Sequence, residues 1–179
     1  MTAQIANGGY AIKPKIVVDS NPISYEDAKQ SMESGLLFDT DSEELLDKKL
    51  FKNQKNIKIV QEAMFASTNE RFGTSYKSRI DDPKYQFAGK TGTAQVKRIT
   101  ERDRELDLKT FEIPYEERDH ALYIAFGPYK NPRYALSVLV EHGGNGSTTA
   151  APMAKKLFKK IIDRHSLRQS VNNKKYLEI

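Results

Sequence analysis

The chain has 179 residues, 38% hydrophobic and 30% charged, which suits one ordinary domain large enough to bury its own core. Its 29 basic and 24 acidic residues leave a formal charge of +5, an excess too thinly spread to single out nucleic acid as a partner. Cysteine is absent, which excludes disulfides and thiolate chemistry and leaves the redox compartment open.

Taken in order, residues 2–9 read as the last turns of a helix closed by Asn7, Gly8 and Gly9 in C-cap positions. A two-turn helix is marginal in water, so the chain is expected to be a piece of a longer one. Residues 10–18 read as a short strand that Pro14 assigns to an edge. Residues 19–56 form a polar surface excursion, with a turn at Ser20-Asn21-Pro22. Within it the sequence predicts a short helix over 42–51, capped by Ser42 and carrying Leu45, Leu46 and Leu50 on one face. The spacing of Ile57, Val60, Ala63, Met64 and Ser67 predicts a helix over 56–71, with Gly73 as its stop.

After Asp81-Asp82-Pro83 comes a strand over 86–96, then a charged loop or extended hairpin over 97–120. The last third predicts strand 121–126, turn 127–133, strand 134–141, a Gly-rich loop and a helix over 149–165. The two strands should form an antiparallel hairpin. Both are apolar nearly throughout, so both sheet faces are expected to be covered, one of them by Met153, Leu157, Phe158, Ile161 and Ile162. The polar tail 166–179 is expected to fray. The apolar runs 121–126 and 134–140 are far too short to span a bilayer, and a soluble α/β (α+β) domain follows as the expectation.

The most informative stretch is Phe87-Ala88-Gly89-Lys90-Thr91-Gly92-Thr93-Ala94-Gln95-Val96. Alternation puts Lys90, Gly92 and Ala94 on one face and Thr91, Thr93 and Gln95 on the other. A cation, two hydroxyls and glycines that permit close approach suit a strand that holds an anion. The competing reading is an ordinary strand whose lysine is solvated and whose threonines follow β propensity.

Lys90-Thr91-Gly92 resembles the Lys-Ser/Thr-Gly motif of the penicillin-binding proteins and serine β-lactamases. Its context extends the resemblance through Arg118-Asp119-His120-Ala121, Ala125-Phe126-Gly127-Pro128-Tyr129-Lys130-Asn131-Pro132 and Glu141-His142-Gly143-Gly144. With Ala6-Asn7-Gly8-Gly9, residues 1–165 look like the C-terminal portion of a transpeptidase domain of the penicillin-binding protein 2 type, the class B enzyme of cell elongation.

The resemblance implies a peptidoglycan D,D-transpeptidase that crosslinks cell-wall peptides through a serine acyl-enzyme, on the periplasmic side of the bacterial inner membrane, without cofactor or metal. It gives Lys90 positive potential and a share in proton relay. Thr91 and Thr93 would hold the substrate carboxylate beside Ala94, and the Thr93 N–H would be one oxyanion donor. Gly92 would keep the site uncrowded. Implied partners are the peptidoglycan stem peptide, β-lactams and elongation-machinery proteins, with self-association through strand 134–140 as a further expectation.

No serine stands three residues before a lysine, so the Ser-x-x-Lys nucleophile is missing and these residues alone are expected to be inactive. Ser67-Thr68-Asn69 and Ser170-Val171-Asn172 match a Ser-x-Asn pattern but fall in a predicted helix and the tail, and both read as coincidence. The loop His142-Gly143-Gly144-Asn145-Gly146 resembles an esterase oxyanion loop, yet without a Gly-x-Ser-x-Gly elbow it reads as a strand-to-helix turn. His120, His142 and His165, with no cysteine and no His-Glu-x-x-His helix, read as structural or surface residues. The alternatives to an enzyme are a non-catalytic interaction module that kept the fold, or a basic binding module whose nucleic-acid affinity would fall with salt.

Overall fold

The computed structural model describes residues 1–11, 49–98, 101, 105 and 108–177, with the side chains of the final helix followed to residue 164. Three strands form one antiparallel sheet in the order β1 (Ala88–Ala94), β2 (His120–Gly127), β3 (Tyr134–Val140). Ala88 pairs with Phe126 and Ala94 with His120, while Ala121 pairs with Val140 and Gly127 with Tyr134. The candidate strand β1 therefore lies at one edge of the described sheet.

Residues directly opposite one another share a face. On one face Ala121, Tyr123 and Ala125 pack against the final helix α3 (Ala151–Leu177) through Ala151, Ala154, Phe158 and Ile162. Phe87 and Phe158 stack there with ring centroids 5.0 Å apart. On the other face Ala88 and Phe126 meet Met64 of α2 (Gln54–Asn69), with Ile5 and Ala6 of α1 (Thr2–Ala6) beside them. The Gln61 amide of α2 donates to the carbonyls of Ile5, at 2.6 Å, and Ala6, so α2 satisfies acceptors that α1 leaves open at its end.

The termini of α1 and α2 follow local chemistry. Asn53 caps α2 by accepting from the Lys55 N–H at 2.9 Å. Gly8 and Gly9 close α1 at φ +87° and +94°, where an L side chain is strained.

Four expectations need correction or limits. The predicted helix 42–51 and strand 10–18 lie mostly outside the described residues; where they can be followed, Tyr10 and Lys49 form an antiparallel bridge, so the helix does not reach residue 49. Of the 97–120 loop, the described part holds two short 3-10 turns, Thr110–Glu112 and Tyr115–Glu117. Helix α3 runs on to Leu177 through the tail expected to fray, since after Pro152 no glycine or proline interrupts a run rich in Lys, Leu, Arg and Gln.

Met153 and Leu157 are exposed rather than buried. The buried stripe of α3 is Ala151, Ala154, Phe158 and Ile162, a narrower set whose alanines let the helix lie close to the sheet. Nor are both sheet faces fully covered: Ala135, Ser137 and Leu139 of β3 are exposed, Leu139 by 55%. Among the described residues no helix is long and apolar enough to cross a membrane.

Candidate active site

Strand β1 starts buried and ends exposed, Ala88 and Gly89 being covered while Lys90, Thr93 and Ala94 reach solvent and Thr91 and Gly92 are half-buried. The two faces expected from alternation are observed: Thr91 stands opposite Tyr123 and Thr93 opposite Ala121, whereas Lys90 and Gly92 stand opposite Ile124 and Leu122. The Lys90 ammonium donates to the Thr91 carbonyl at 2.8 Å, which folds the cation back along its own strand. The Thr91 hydroxyl lies 3.3 Å from that of Thr74, which lies 3.3 Å from that of Ser67. One exposed strand end thus carries a cation on one face and two hydroxyls on the other, groups of the kind that attract and orient an anion.

Sequence reasoning missed what fixes this strand. Tyr123 is fully buried, and its phenol oxygen lies 2.9 Å from the Thr68 hydroxyl and 3.1 Å from that of Ser75. Ser75, itself buried, donates to the Ser67 carbonyl at 2.9 Å. Burial pushes the Tyr123 phenol above its ordinary range, while its hydrogen bonding with Ser75 and Thr68 pulls it partly back. The network ties the end of α2 and the following turn to the central strand. A tyrosine in the middle of an apolar strand was the available signal, because a buried phenol takes a hydrogen-bond partner.

The turn after β3 closes over the same region. Gly146 is buried where an added Cβ would overlap the carbonyl oxygens of Gly92 and Leu122, so only glycine lets this turn rest on β1 and β2. Asn145 accepts from the Ser147 N–H at 2.7 Å and opens the π-helical turn Gly146–Ala150 that leads into α3. The expected strand-to-helix turn is what the structure contains.

The family description of the penicillin binding protein transpeptidase domain matches residues 1–163. The chain belongs to the penicillin-binding protein transpeptidase family. Among curated relatives, the peptidoglycan D,D-transpeptidase MrdA of Salmonella typhimurium is 39% identical over 105 residues, 59% of this chain and 16% of that protein. The MrdA of Acinetobacter baumannii is 42% identical over 79 residues, 44% of this chain and 11% of that protein. The chain therefore spans less than a fifth of the length of these relatives. Among solved structures, Pseudomonas aeruginosa PBP2, determined in complex with WCK 5153, superimposes with TM-score 0.55 and 29% identity, covering 86% of this chain and 26% of that one. The antiparallel sheet with packed helices is the transpeptidase fold.

The remaining candidates with described side chains are engaged in hydrogen bonds. In Ser67-Thr68-Asn69 every side chain is engaged at the end of α2: Ser67 with Thr74, Thr68 with Met64 and Tyr123, and Asn69 donating to the carbonyls of Phe65 and Phe87 at 3.0 Å. Ser170-Val171-Asn172 lies in α3, beyond the described side chains. His142, at φ +53°, donates its backbone N–H to His120 Nδ1 at 2.9 Å, and its ring contacts the Arg118 carbonyl. His165 is outside the described side chains, and no group of three metal-ligating side chains occurs among the described residues.

Proposed function

We propose that residues 1–165 are the C-terminal portion of a transpeptidase domain and form one wall of a D,D-transpeptidase site that crosslinks peptidoglycan on the periplasmic side of the bacterial inner membrane. The observation that carries this reading is Lys90-Thr91-Gly92-Thr93 at the exposed end of an edge strand in a chain of this family. Lys90 supplies positive potential at the acyl-transfer centre and takes part in moving the proton. Thr91 and Thr93, which share a face, hold the terminal carboxylate of a D-Ala-D-Ala peptide or the carboxylate of a β-lactam, next to Ala94. The Thr93 N–H stabilises the oxyanion, and Gly92 leaves room beside the lysine.

The serine nucleophile and its lysine base come from outside these 179 residues, since no serine here stands three positions before a lysine. The chain alone is inactive on this reading. Stem peptides, β-lactams and proteins of the elongation machinery are partners of the longer polypeptide. The edge of β3, unpaired among the described residues, is open to a second copy.

Labelled penicillin tests the assignment. It should leave the isolated chain unlabelled and acylate a longer polypeptide that adds a Ser-x-x-Lys helix. Covalent label on the isolated chain would show that the nucleophile has been misplaced, and failure of the longer polypeptide to react would remove the transpeptidase reading.

A further inference from the structure

Beside the Thr74 hydroxyl lies an open groove of about 800 Å³. Five cations line it, drawn from two separate parts of the chain: Arg71 and Lys77 from the connection after α2, and Lys155, Lys156 and Lys159 from the start of α3. Among the described residues no carboxylate lines it. Elsewhere on the surface cations have found partners, as in Arg79 with Asp81, Lys84 with Asp163 and Lys97 with Glu117, but none of these five makes an ion pair with a described residue. Like charges converging in a recess focus a positive field and raise the local concentration of anions. Lys160 and Arg164 continue along α3 around a second, shallower depression, which Asp163 also lines.

We propose that this groove docks an extended acidic segment of a partner polypeptide. The recess has the size of a ligand cleft, and three of its cations, Lys155, Lys156 and Lys159, lie on adjacent turns of one helix, a spacing that meets carboxylates repeated along an extended strand. The hydroxyls in the same wall are already engaged, Ser147 and Thr148 donating to Asn145 and Thr74 lying 3.3 Å from Ser67 and Thr91, so the cations carry the recognition. Nucleic acid fits less well, because the lining holds a single aromatic ring, Tyr76, one face of which carries the Arg79 guanidinium at 4.1 Å, where binding of a single strand calls for a row of stacking rings. A bilayer calls for cations on a protruding surface beside inserted apolar side chains. Here the cations line a recess, and the exposed Met153 and Leu157 are not part of it.

Fluorescence anisotropy with fluorescein-labelled hexaglutamate and the full chain tests it. Binding should be saturable at low salt and weaken as salt rises. The double variant Lys155→Gln/Lys159→Gln should weaken it about tenfold, while Lys52→Gln/Lys58→Gln, exposed and outside the groove, should change it less than about twofold. Glutamine keeps helix propensity, and matched circular dichroism and melting midpoints confirm that both variants are folded. The proposal is overturned if hexaglutamate does not bind at low salt, or if both double variants lose binding equally. It is also overturned if phosphatidylglycerol vesicles or a single-stranded oligonucleotide bind through Lys155 and Lys159 more tightly than the peptide.

Discussion

The buried phenol of Tyr123 lies against Gly89, so close that a Cβ added at Gly89 would overlap its hydroxyl and ring carbons. The two residues share a sheet face on neighbouring strands, and the ring reaches past the glycine to Thr68 and Ser75. The glycine preceding the motif lysine is therefore set by packing. Gly89→Ala should cost about 1–3 kcal/mol of stability, since Tyr123 is held by two hydrogen bonds and cannot move aside freely. Urea unfolding of the variant checks this, and an unchanged midpoint would mean that the ring has room to shift.

Tyr123→Phe keeps the ring and removes the hydroxyl. Thr68 retains the Met64 carbonyl and Ser75 the Ser67 carbonyl, so the loss should be modest, about 1 kcal/mol. A double-mutant cycle with Gly89→Ala should show coupling, because the two changes act on the same contact.

The Tyr123 phenol also predicts a pH dependence. Its folded-state pKa is raised, chiefly by burial, so the folded chain keeps a proton that the unfolded chain releases. That contribution is complete below the unfolded value of about 10 and is lost as pH rises through the raised folded value. Denaturant midpoints measured from neutral to alkaline pH should fall more steeply for the native sequence than for Tyr123→Phe above about pH 10. Parallel curves would mean that Tyr123 ionises alike in both states.

The legible parts of this fold were those written in short-range pattern. Helix α2, the β2–β3 hairpin, the alternation of β1 and the Asn7-Gly8-Gly9 stop all follow from periodicity or backbone preference, and all are present. The burial of α3 was misjudged because Met153 and Leu157 are apolar while the residues that touch the sheet are two alanines, Phe158 and Ile162. Which helical stripe is buried depends on how closely the helix approaches, and small residues carry that information only in three dimensions. Likewise Lys90, Thr91 and Thr93 stood out by residue type. The Thr68–Tyr123–Ser75 network joins residues 48 and 55 positions apart and left no local trace beyond the tyrosine itself.

Gly146 and Gly92 differ in what an added methyl would meet. A Cβ at Gly146 would overlap two backbone carbonyl oxygens, which cannot rotate away, so Gly146→Ala should destabilise by about 2 kcal/mol or more and lift the turn from the sheet. A Cβ at Gly92 would meet only the Leu122 Cβ at 3.3 Å, a tight contact that a small shift relieves. Gly92→Ala should therefore fold with a loss below about 1.5 kcal/mol. Melting midpoints of the two variants give the comparison, and equal losses would contradict it.

The same Gly92→Ala change distinguishes a substrate wall from an ordinary strand. In a longer polypeptide that supplies the Ser-x-x-Lys helix, the added methyl projects on the Lys90 face and should slow acylation by labelled penicillin while leaving the fold intact. Thr91→Val and Thr93→Val remove hydroxyls from the other face with little change in volume. Each should lower the acylation rate constant by about 10–100-fold, the worth of a hydrogen bond to a charged group. A β-lactam ester lacking the carboxylate supplies the decisive control, because it should react slowly with the native protein and be indifferent to both threonine changes. If the valine variants instead slow the ester and the acid equally, the hydroxyls shape the strand and do not hold the carboxylate.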